Sequence, residues 1–163
     1  MLDAARRVLF TALTVAIVGL LSSQSPTSAQ DAEKPYTIKD DGTVDWYTFS
    51  GFRRYHADCH VCHGPDGMGS SFAPSLVESL KKISYEDYLE VVTNGRKNVS
   101  ASADKVMPAF GLNPNVMCFI DDIYAYLKAR SDGVLPRGRP AKKDDKPQEA
   151  KERDDACLPT GPG

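Results

Sequence analysis

Trp46, Phe49, Phe52 and Tyr55 recur every three residues, a spacing that puts four aromatic rings near one face of a helix running from about Trp46 to Cys59. Such a stripe reads as core. Gly64 to Pro74 is rich in glycine, serine and proline and reads as a loop. Ser84 followed by Asp87 has the form of a capping box, opening a helix through Tyr85, Tyr88, Leu89 and Val92 that Gly95 should stop. Asn113-Pro114 supplies a cap and a first-turn proline for a last helix carrying Met117, Ile120, Ile123, Tyr124 and Leu127 before Gly133. Nothing in the pattern reads as a sheet, so the expected fold class is all-α, with a single domain over residues 46–130.

The two ends differ from this middle. Arg6 and Arg7 precede an apolar run from Val8 to Leu21, followed by Thr27-Ser28-Ala29, the layout of a secretory signal cleaved after Ala29. A retained membrane anchor is the alternative, but the run falls short of the roughly 18 residues a spanning helix needs. Residues 1–29 are therefore expected as the signal, the protein as exported to the periplasm without stable membrane insertion, and residues 30–45 as a loose polar arm. Residues 131–163 contain seven basic and seven acidic side chains among five prolines and four glycines. That composition cannot form a core of its own, which predicts a low-complexity polar tail supplying no ligand and little packing. The formal net charge of −2 disfavours nucleic acid and anionic membrane surfaces, which recruit basic patches.

The chemistry is concentrated in Cys59-His60-Val61-Cys62-His63, a Cys-x-x-Cys-His run. Two thiols at this spacing can form thioethers to one porphyrin, and the histidine that follows can ligate its iron, so one covalently attached haem c is expected. A zinc knuckle or a thioredoxin-like redox pair is the alternative, but zinc needs two further ligands, and the other histidines, His56 and His60, lie in the same short stretch. The sixth iron position has five candidates: Met68, Met107, Met117, His56 and His60. Met117 sits on the apolar face of the last helix, Met68 is only five residues beyond His63, and both histidines precede the proximal ligand on its own side. Met107, followed by Pro108 on a loop ahead of the last helix, serves no helical stripe and is favoured. Cys118 and Cys157 remain. In an exported protein such a pair is most simply a disulfide, which would tether the tail against the last helix, with two free thiols as the alternative. Asn98-Val99-Ser100 and Lys142-Lys143 are assigned no role.

The order Gly51-x-x-x-Tyr55-x-x-x-Cys59-x-x-Cys62-His63, Gly64-x-x-Gly67, Ala73-Pro74-x-Leu76, Met107-Pro108-x-Phe110 and Ile123-Tyr124-Ala125-Tyr126-Leu127 resembles a small class I cytochrome c. The resemblance implies a close crossing of the first and last helices at Gly51, with Tyr55 and Tyr126 packed there. It also implies that the Pro74 carbonyl meets the His63 ring N–H, a contact that orients a ligating imidazole and raises its basicity. The second cysteine pair and the segment Gly69 to Leu76 are similar to the four-cysteine c-type cytochromes of methanol metabolism. That narrower likeness implies an electron carrier and not an enzyme, reduced by a quinoprotein (PQQ-dependent) methanol or alcohol dehydrogenase and oxidised by a terminal oxidase or another cytochrome. A general periplasmic carrier, and behind it a haem peroxidase or sensor, are the alternatives. Val61, Met68, Ala109 and Phe110 are expected to ring the exposed haem edge.

Overall fold

The computed structural model describes residues 34–100 and 103–158, so the signal expected at 1–29 lies outside the described residues. Helix α1, Trp46–Asp58, starts where Asp45 accepts the Thr48 N–H at 2.8 Å, and the same carboxylate accepts the Thr37 N–H at 2.6 Å. Its first turn is thereby joined to the preceding strand of chain. Phe49 and Tyr55 from the aromatic stripe are buried, while Trp46 and Phe52 pack at its margin.

Helix α6, Ile120–Ser131, crosses α1 closely. A Cβ at Gly51 would overlap the Asp122 carbonyl, so only glycine permits this approach. Tyr55 and Tyr126 are both fully buried at the crossing, their ring centroids 5.6 Å apart, as the motif order implied. Between these helices in sequence lie α2, His60–His63, a 3-10 turn at Pro65–Gly67, α3, Leu76–Ser79, and α4, Tyr85–Asn94. The Ser84/Asp87 capping box opens α4 and Gly95, at φ 73°, closes it.

The structure corrects four expectations. A sheet is present: β1, Arg96–Ser100, pairs antiparallel with β2, Ala103–Met107, in the register Arg96↔Met107. Where its side chains are described, neighbours on either strand, Arg96 and Lys97 on one and Lys105 and Val106 on the other, are exposed alike, so these positions show no alternation of buried and exposed residues. The last helix is two helices, α5 at Pro114–Met117 and α6, broken at Phe119. The break turns Phe119 inward, where it is buried under the Arg54 guanidinium 3.5 Å from the ring centroid. The polar arm is not loose. Tyr36 and Val44 are buried, and the Tyr36 hydroxyl donates to Asp132 at 2.7 Å.

The fourth correction concerns the segment from residue 131. It crosses the domain, makes a parallel bridge between Lys143 and Val44, and ends in helix α7, Gln148–Cys157. Leu135 and Ala150 are buried. Arg153 grips both carboxylate oxygens of Asp122, Nη1 to Oδ1 and Nη2 to Oδ2, each at 2.8 Å. Asp122 is only 2% exposed, and burial pushes its carboxyl above the ordinary range while Arg153 and Ser50 oppose that shift. A disulfide joins Cys118 to Cys157. The segment needs no core of its own because it covers polar and aromatic groups that the first helices leave open. Among the described residues no helix is long and apolar enough to cross a membrane.

Candidate haem site

Cys59 caps α1 with its N–H on the Tyr55 carbonyl at 2.9 Å, and a single turn of α2 then carries Cys62 and His63. Cys59 is partly buried and Cys62 exposed, and neither is in a disulfide, whereas the other two cysteines are bonded to each other. His63 is buried, and its Nδ1 lies 3.0 Å from the Pro74 carbonyl. A carbonyl only accepts, so Nδ1 is the protonated nitrogen and Nε2 is left to ligate a metal.

The loop after the motif is held from below. The Tyr55 hydroxyl donates to the Gly64 carbonyl at 2.5 Å and accepts the Gly67 N–H at 3.0 Å. Gly69 N–H returns to the His63 carbonyl at 2.7 Å, and the Ser75 hydroxyl donates to the Gly67 carbonyl at 3.2 Å. These bonds place Pro74 opposite the imidazole, so a loop without periodic structure becomes a rigid support for His63.

The candidates for the sixth position are not equivalent in their surroundings. The Met68 sulfur lies 3.7 Å from Nη2 of the buried Arg130. Met117 packs at the margin of the core. His56 donates from Nδ1 to the Phe52 carbonyl at 2.8 Å, and its ring stacks on His60 with centroids 5.7 Å apart. Met107 ends β2, contrary to the expected loop, and its position is set by the chain on both sides. A Cβ at Gly95 would come within 2.6 Å of the Met107 carbonyl, and the following Phe110 and Gly111 N–H groups bond the Val92 and Thr93 carbonyls, both at 3.0 Å.

Among the described residues no group of three or more histidine, cysteine or acidic side chains is placed to hold a metal ion by itself. Two free cysteines one turn apart and an imidazole oriented through Nδ1 fit a covalently attached haem instead.

A crystal structure of the c-type cytochrome XoxG from Methylobacterium extorquens AM1 matches with a TM-score of 0.64 at 46% identity, over 77% of this chain and 83% of that one. Cytochrome c-555 of Methylococcus capsulatus is 43% identical over 96 residues, 58% of this chain and 72% of that protein. This chain is a c-type cytochrome. Cytochrome c-553I of Paracoccus denitrificans is 57% identical over 123 residues, 76% of this chain but 54% of its own length, so the chain spans about half of that relative. A family model described as cytochrome c oxidase, cbb3-type, subunit III matches residues 49–127. Membership in the cytochrome c family implies covalently bound haem c.

The cytochrome's apolar surface is partly where the motif suggested. Val61 and Met68 are exposed large hydrophobics, and Ala109 is exposed. Phe110 is partly buried against the core, while Phe72 (72% exposed) and Leu112 (100% exposed) stand out. Sequence reasoning missed Asp66, Asp122, Arg130, Arg137 and Arg153. Asp66 alone left a signal, since an aspartate between Gly64-Pro65 and Gly67 is a residue type that tolerates the left-handed conformation it adopts at φ 59°.

Proposed function

We propose that this cytochrome is a periplasmic one-haem electron carrier, attached through Cys59 and Cys62, with His63 and Met107 as axial ligands. The His63–Pro74 hydrogen bond carries this reading, because it commits Nδ1 and gives the imidazole one orientation and a more basic Nε2. The contact of the Met68 sulfur with Arg130 favours Met107 among the methionines. A bound haem c would supply the one-electron couple, and with histidine and methionine both in place the iron has no open position for substrate. The remaining work of the protein is to hold those ligands still and to present a surface. Exposed Val61, Phe72 and Leu112 offer apolar contact, while Arg96, Lys97 and Lys105 on the hairpin supply exposed positive charge for steering.

The electron donor in this reading is a quinoprotein (PQQ-dependent) methanol dehydrogenase, and the acceptor a terminal oxidase or another cytochrome c. The donor assignment rests on the second cysteine pair, bonded as Cys118–Cys157, and on the likeness to four-cysteine cytochromes of methanol metabolism. Stopped-flow reduction tests it. Reduction by a quinoprotein methanol dehydrogenase is expected to be fast and saturable, and Phe72→Glu should slow it without changing the haem spectrum. Reduction no faster than by an unrelated quinoprotein would leave a general carrier. Met107→Ala should abolish the weak red to near-infrared band of methionine-ligated ferric haem, and persistence of that band would reassign the ligand.

A further inference from the structure

Asp66 lies three residues beyond His63, is only 5% exposed, and stands at the meeting point of four segments. Its Oδ2 is 3.2 Å from Nε of Arg137, and its Oδ1 accepts the Gly138 N–H at 3.0 Å. The Tyr126 hydroxyl donates to Oδ1 at 3.4 Å, and His56 Nε2 lies 3.7 Å from the same oxygen. The Asp66 carbonyl meanwhile accepts from Nε of Arg130 at 3.4 Å. Burial pushes the carboxyl up, but the Gly138 N–H, Arg137, Arg130 and His56 outweigh it and hold the group below its ordinary value. The carboxylate is therefore charged and bound from the C-terminal segment on one side and from α1 and α6 on the other.

We propose that Asp66 is a positioning residue for the haem-binding loop, and that Arg137 and Gly138 of the C-terminal segment act through it to hold His63. The mechanical connection is short. The turn containing Asp66 also carries Gly67, whose N–H bonds Tyr55 and whose carbonyl accepts from Ser75, and two residues later Gly69 bonds the His63 carbonyl. Ser75 follows Pro74, the residue that orients the imidazole. A turn released at Asp66 would loosen both ends of this circuit. A weaker Pro74 contact makes the imidazole a poorer donor, which destabilises ferric iron and raises the midpoint potential. The potential argument rests on His63 being the proximal ligand, as proposed above; the restraint on the turn does not.

Asp66→Asn and Arg137→Gln in the full-length holoprotein test the proposal. Asparagine tolerates φ 59° and keeps an oxygen for the Gly138 N–H, and Arg137 has a side chain 63% exposed, so neither variant should prevent folding. Two readouts are expected. Amide hydrogen exchange at Gly67 and Gly69 should accelerate at least fivefold in both variants, but not in Lys142→Ala, which removes an exposed ion pair to Asp41 in the same segment. The midpoint potential should rise in both. Opposite shifts, upward for Asp66→Asn and downward for Arg137→Gln, would identify through-space charge and overturn the positioning role, as would unchanged exchange. A wild-type spectrum without histidine–methionine ligation would defeat the ligand assignment by itself, and the exchange rates would still decide whether Asp66 restrains the turn.

Discussion

Replacing Arg153 with methionine should destabilise the cytochrome by about 3 kcal/mol, because it leaves the buried Asp122 carboxylate without its counter-charge. Methionine keeps an apolar stem against the Phe119 and Tyr47 rings, over which the guanidinium sits at 4.8 and 5.4 Å, so the loss is mainly electrostatic. Removing one partner of a buried pair costs about 3–5 kcal/mol. The Arg153 side chain is 27% exposed, and water at that edge places the cost at the low end of the range. For a domain of this size each kcal/mol moves the thermal midpoint by about 4 °C, so Tm should fall by about 12 °C. Urea denaturation of the oxidised holoprotein, followed by far-ultraviolet circular dichroism, measures the free energy directly. In a double-mutant cycle, Asp122→Asn should recover about 2 kcal/mol of the loss, since the uncompensated charge is gone. A loss under about 1 kcal/mol, or strictly additive variants, would mean that the pair behaves as an exposed salt bridge and that α7 is docked by something else.

Two further outcomes follow from the same contacts. Truncation after Arg130 removes Leu135, Ala150, Arg137, Arg153 and the Cys118–Cys157 bond together, and should lower Tm by more than Arg153→Met does; a midpoint within a few degrees of the intact protein in differential scanning calorimetry would return the segment to the status of a tail. Asp66 and Asp132 are held below their ordinary values: burial raises each, but Gly138 and Arg137 outweigh it at Asp66, and Lys128 and Tyr36 at Asp132. Their stabilisation is therefore complete above the unfolded carboxylate value of about 3.9 and is lost as pH falls through the lower folded values. The urea midpoint should drop on acidification below about pH 4, and Asp66→Asn should flatten that slope; an unchanged slope would exclude a charged Asp66 from the fold.

The sequence by itself determined what depends on near neighbours. The aromatic stripe of α1, the Ser84/Asp87 box, the Gly95 stop and the Cys-x-x-Cys-His run each lie within a few residues of chain, and side-chain chemistry there decides the outcome almost alone. The order of short motifs carried the family and, through it, the Gly51 crossing and the Pro74 contact with His63. Tertiary structure decided the rest. The described hairpin side chains at 96, 97, 105 and 106 are exposed without alternation, and Phe119, at the break before α6, lies under Arg54 from another helix. Charged residues from 131 onward read as solvated because composition cannot show where their partners lie. Arg137 finds Asp66 across 71 positions and Arg153 finds Asp122 across 31, and such pairs exist only after α1 and α6 have crossed and left buried carboxylates to be matched.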